Sequence, residues 1–166
     1  MEIFKFEDMN IYHDTDWNEM QRKIYREVKE KDVQLTSKIE LLNSNYEYMV
    51  YDSFIDESEI VSSNKLIFDE DRFVITDNPD YDSNFITSEY SLDISTDEVI
   101  LGIDVSGDDS VIACSISIDG GSSWTSITPE EDTILSESSQ TFQLKFEIPQ
   151  NSSIDFNYYS LFLNKV

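Results

Sequence analysis

DTDWNEMQRKIYREVKEKDVQLTSKIELLNSNYEYM, residues 14–49, contains neither Gly nor Pro and is rich in Glu, Lys, Gln and Arg, which favour helix. Apolar side chains recur at Trp17, Met20, Ile24, Val28, Leu35, Ile39, Leu42, Tyr46 and Met49, in steps of three and four, with Lys31 at the one position the rhythm skips. A mean step of about 3.6 residues is the period of a single helix face. Asp14 or Thr15 can cap the start, and Asp16 and Glu19 sit where carboxylates favour the positive end of the helix dipole. The pattern predicts one helix over residues 14–50, roughly 50 Å long. The rest of the chain cannot wrap a core around that length, so the stripe needs a partner. Two partners come into question, the chain's own β domain and other copies of the chain. The expectation adopted is a parallel self-associating bundle with those nine residues on its seam, a coiled-coil stalk. The mixed seam gives no clean rule for dimer against trimer.

After residue 50 the period changes to short alternating runs separated by Ser, Asp, Asn and Gly. Val99, Leu101, Ile103 and Val105 share one face of a strand, as do Ile112, Cys114, Ile116 and Ile118, then Phe142, Leu144, Phe146 and Ile148, then Tyr159, Leu161 and Leu163. Further strands are expected around Leu66 to Phe68, Phe73 to Thr76 and Phe85 to Leu92. The fold class expected is therefore α+β: an N-terminal docking arm over 1–13, the oligomerising helix over 14–50, and an antiparallel, jelly-roll-like β-sandwich over 51–166.

Composition narrows the function. Thirty-five acidic against 11 basic residues leave a net charge of -24, which repels nucleic-acid phosphates and anionic lipid, so neither nucleic acid nor membrane is an expected partner. Cys114 is the only cysteine, which rules out an internal disulfide or a zinc knuckle. The opening MEIFKFEDMN carries acids where a signal peptide has a basic region and an apolar run, and no apolar run is long enough to span a bilayer. His13 is the only histidine, with no second His or Cys to complete a triad or a metal site. Cys114 alternates with apolar neighbours, as a buried inert thiol does. Asp104, Asp108 and Asp109 could offer calcium several oxygens on one turn, but their spacing matches no EF-hand loop, and no metal or other cofactor is assigned. No catalytic constellation is present, and the chain reads as a non-enzyme.

The most specific motif is Ser117-Ile118-Asp119-Gly120-Gly121-Ser122-Ser123-Trp124, which fits the Asp-box pattern S-x-D-x-G-x-x-W. Asp119 suits turn amides, Gly120 and Gly121 suit positive φ, and Trp124 suits a lid over the hairpin. Its expected role is structural. Asp boxes are known from sialidase propellers, where they stand away from the catalytic centre, and this chain holds one copy.

Read as a whole, the downstream half resembles virion proteins of tailed bacteriophages. The residues that carry the resemblance are Asp52-Ser53-Phe54-Ile55-Asp56-Glu57-Ser58, the SIDGGSSWTSIT hairpin, and Phe142-Gln143-Leu144-Lys145-Phe146. They match an x-F-x-D-E-S segment, an S-x-D-G-G-x-T-W-T hairpin and an L-x-[LYF]-[KR]-[FI] strand over roughly residues 51–163. Glu59 and Ser123 depart from the usual Gly and Thr. The resemblance implies a structural β module in a fibre or appendage of tail, neck or baseplate, made in the host cytoplasm and carried on the virion. It implies other virion proteins as partners and a homotrimer as the common assembly, and brings no catalytic residue. The alternative is a carbohydrate-binding module reading a host surface glycan, with Trp124 and Tyr81, Tyr90 or Tyr158 as a stacking platform.

Overall fold

Alternating apolar residues make strands only where a neighbouring strand pairs with them, and the pairing decides how the faces close. The computed structural model describes residues 14–43, 46, 48–54, 58–64, 67–69, 72–75, 83–150, 152 and 154–164. Among these are one helix, α1 (Asp14–Asn43), and ten strands: β1 (Tyr48–Asp52), β2 (Ile60–Asn64), β3 (Ile67–Asp69), β4 (Arg72–Ile75), β5 (Ser83–Thr87), β6 (Tyr90–Ser106), β7 (Ala113–Ser117), β8 (Thr125–Ile127), β9 (Thr133–Ile148) and β10 (Ile154–Leu163). A 3-10 turn, Asp109–Val111, joins β6 to β7.

The strands form one antiparallel sheet in the order β2-β5-β9-β6-β10-β4-β3, with β1 added on β10 and the β7–β8 hairpin added on β9. Its curl comes from β9. Thr133 to Phe142 of that strand pair with β6, whereas Gln143 to Ile148 pair with β5 and β7, so one strand serves both halves of the sheet. Near the handover the register shifts, and shifted residues lose ladder bonds. Thr96 and Ser139, opposite each other there, make up part of the loss. The Thr96 hydroxyl donates to the Glu98 carbonyl at 3.0 Å and accepts the Glu98 amide at 3.3 Å, while Ser139 Oγ donates to the Thr141 carbonyl at 3.0 Å and accepts its amide at 3.1 Å.

Curling brings the two halves face to face over an aromatic core. Phe85 stacks on Phe146 at 4.7 Å, and Phe156, from β10 on the opposing half, meets both rings edge-on at 5.1 and 5.7 Å. Phe54, just past β1, enters the same cluster with φ at +50°, a backbone conformation that a bulky residue adopts only when held. The hold is local: Asp52 Oδ1 accepts the Phe54 amide at 2.8 Å. Tyr159 is fully buried among these rings and shares its hydroxyl hydrogen bond with Tyr90. Each of these side chains contributes roughly 1.5–3 kcal/mol through burial.

The period-two faces expected from the sequence are thus found as antiparallel strands, but the fold class is corrected. The protein is a mostly-β fold, one curled sheet carrying a single docked helix, in place of a stalk followed by a two-sheet jelly roll. Among the described residues there is no coiled-coil stalk. The helix is shorter than expected, 30 residues ending at Asn43, and it packs on β1 and β10 of its own chain. Two seam residues are reassigned as well. Met49 lies within β1, and Tyr46 is buried outside any helix, its hydroxyl donating to Asp132 Oδ1 at 2.5 Å. Tyr46 therefore straps the segment after the helix to the turn before β9. The expected arm over 1–13 lies outside the described residues.

Candidate functional site: the outward face of the helix

Amphipathic helices normally turn their apolar face toward the sheet that carries them. Here the helix is turned the other way. Among its described side chains, those it buries are Val33, 5% exposed, and Ser37, 0% exposed, one turn apart on a side otherwise rich in charge. Beside them, the Tyr51 hydroxyl of β1 hydrogen-bonds the Gln34 side chain, and burial, with the Glu30 carboxylate nearby, raises its pKa above the ordinary value.

The stripe points outward instead. At about 100° per residue, Leu35 lies roughly 200° round the helix from Val33, and Ile24, Val28 and Ile39 fall in the same sector. Met20, Ile24, Val28, Leu35 and Ile39 are 45–59% exposed, and Tyr25 beside them is exposed too. Trp17 and Leu42 belong to the same stripe, though their side chains lie outside the described set. Residues 19–28 are exposed on every face, so more than two turns extend past the docked part. Seven of the nine expected seam residues therefore share one helix face by position, and the five of them whose side chains are described are exposed. Sequence reading missed the docked side, where Val33 and Ser37 stand four apart among charges.

The Asp-box residues come together as a closed unit. Ser117 Oγ donates to Asp119 Oδ1 at 2.8 Å and accepts the Gly121 amide at 2.9 Å, while Asp119 accepts the Ser123 amide at 2.8 Å and the Ser123 hydroxyl at 2.6 Å. Gly120 and Gly121 take φ of +67° and +83°, and a Cβ on Gly121 would stand 3.2 Å from Gln143 Oε1. Ser123, where the phage pattern has Thr, supplies two of the bonds. These hydrogen bonds, those from Ser123 first, hold the Asp119 carboxyl down at about 2. A depressed carboxyl stabilises the hairpin above its unfolded pKa near 3.8, and that contribution is lost as pH falls toward 2. Carboxyl-carbon NMR of Asp119 is expected to titrate at about 2; a midpoint near 3.8 would show that the network does not form.

The remaining candidates do not assemble into chemistry. Lys145 Nζ sits 5.2 Å over the Trp124 ring, so one face of the indole already carries a cation. The Tyr90 hydroxyl is tied to Tyr159, Tyr158 lines a shallow groove of about 260 Å³ with Tyr46 and Phe162, and Tyr81 lies outside the described residues. Burial pushes the Cys114 thiol up to about 12, so it stays protonated. Asp108 is occupied as a turn cap, accepting the Ser110 amide at 3.1 Å, and among the described residues no three acidic, His or Cys side chains gather around a metal-sized space. No protein-family model and no curated protein matches the chain.

Proposed function

We propose that this chain is a non-enzymatic structural component of a phage or phage-like particle, an appendage protein of the tail, neck or baseplate that works by assembling. The observation that carries the reading is the helix docked by its polar side with its apolar row facing water. A contiguous exposed row of large apolar side chains is a liability for a free-standing protein and an asset for one that is finished by assembly. The motif likeness over residues 51–163 supports the virion as the setting. The acidic body supports it too, since mutual repulsion between bodies confines association to the helix.

The test is incorporation. An antibody to the chain should label purified particles from its source, and Ile24→Asp with Leu35→Asp should reduce the chain's content in particles at least tenfold while the protein stays soluble and melts as wild type. Both positions are exposed, so the charges leave the core untouched. Wild-type incorporation of the double variant would overturn the reading.

A further inference from the structure

We propose that the occupant of the outward helix face is a second copy of this chain, paired antiparallel about a two-fold axis; the inference rests on reading that face as the assembly surface. Three observations on the helix lead there. The first is charge. Between Asp14 and Asn43 there are seven acidic and six basic side chains, so the helix is nearly neutral and the remaining surplus of 23 acids lies elsewhere on the chain. Two bodies of that charge repel, and the helix is the surface over which copies can meet. Because the body packs behind α1, on the side away from the apolar row, two helices can join face to face with both bodies outside the joint.

The second is spacing. Trp17, Met20, Ile24, Val28, Lys31, Leu35, Ile39 and Leu42 follow one another at steps of 3, 4, 4, 3, 4, 4 and 3, an order that reads the same in both directions. An isologous contact requires that residue i meet j while j meets i. Laid antiparallel on its own copy, the row sets Met20 against Ile39, Ile24 against Leu35 and Val28 against Lys31.

The third is Lys31, the one charge in the row. A parallel pair puts the two Lys31 ammonium groups level with each other at the joint, and a parallel trimer puts three there, with like charges crowded as water leaves. The antiparallel pair offsets them along the axis and brings each beside Glu27 of the other copy, within about one residue's rise. The footprint agrees with a reversible pair. A 30-residue helix offers a face roughly 45 Å long and about 10 Å wide, at the small end of specific interfaces.

The experiment uses the full chain. Light scattering across a concentration series should approach twice the 19.3 kDa chain mass, and Leu35→Asp should return it to one chain mass with an unchanged melting curve. Orientation is read by cross-linking, since Cys114 is buried and new surface cysteines react alone. Under oxidation, an equimolar mixture of Ile24→Cys and Leu35→Cys chains should give a covalent heterodimer, and Ile24→Cys alone should give none. In the antiparallel pair the two residues 24 stand roughly 16 Å apart along the axis, beyond a disulfide's reach of about 6 Å between Cα atoms. A trimer mass, or a cross-link through Ile24→Cys alone, would overturn the pairing. A monomer at all concentrations would overturn it as well, and if particles still lose the Asp variants, the structural reading survives with a different particle protein on the face. A dimer whose Asp variants enter particles normally would leave the pairing and sink that reading.

Discussion

Phe146→Ala is expected to destabilise the protein by about 3–5 kcal/mol, a large part of the ~5–15 kcal/mol that holds a typical domain. Phe146 is fully buried and stands where β9 belongs to the second half of the sheet, between β5 and β7. Its ring touches three others from different parts of the chain, Phe85 at 4.7 Å and Phe156 and Tyr159 at 5.7 Å. Truncation removes the apolar surface and leaves a cavity walled by stiff aromatic rings and two ladders of backbone hydrogen bonds, which cannot collapse to fill it. The melting temperature should drop by roughly 10 °C or more, read by circular dichroism at a strand wavelength. A change below about 1 kcal/mol would mean that the two halves of the sheet are not joined through this ring.

Ser37→Asp should detach the helix and leave the sheet standing. Ser37 is completely buried, and among the described residues its hydroxyl has no hydrogen-bond partner. A carboxylate placed there must shed water without gaining a cation, at a cost of about 2–4 kcal/mol. Undocking avoids that cost, because among the described helix side chains Val33 and Ser37 are the buried ones. Once free, the helix loses the tertiary packing that supplies most helical stability in proteins. Helical circular dichroism should fall, and trypsin should cut within residues 22–38 at least tenfold faster, while the strand signal melts as before. Ser37→Ala is the control and should be within about 0.5 kcal/mol of wild type, since it removes a hydroxyl with no bond to lose. Equal protease resistance in Ser37→Asp and wild type would show that the helix is held by something other than this contact.

The same two regions show what could be read from the amino acids alone. Alternation at 142–148 and 159–163 was sufficient to place core strands, because a strand buried on one face has no other way to arrange Phe142, Leu144, Phe146 and Ile148. The hairpin at 117–124 was legible because its hydrogen bonds are local. The single curled sheet was not legible. The first half of β9, Thr133 to Gln140, is mostly polar and shows no hint of belonging to the same strand as Phe142 to Ile148. The end of the helix was misread for a related reason. Tyr46 and Met49 fall at helical spacing after Leu42, yet Tyr46 reaches Asp132, 86 residues away, and β1 pairs with residues 159–163. A stripe records that a face seeks cover and says nothing of what supplies it, so the row at 20–39 was found while the side that docks was not.

The position of β10 has a consequence for the order of events during synthesis. That strand pairs with β1, β4 and β6, and its register joins Tyr48 to Leu163. The ribosome delivers the helix first and this strand more than a hundred residues later. Until residue 163 has cleared the exit tunnel, β1 lacks its neighbour and the helix lacks the floor on which it rests. A nascent chain therefore presents its sticky helical row unoriented, beside core strands still open to water. Neighbouring chains on one messenger would meet in that state, so the interval between the two ends of the sheet is when misassembly competes with folding.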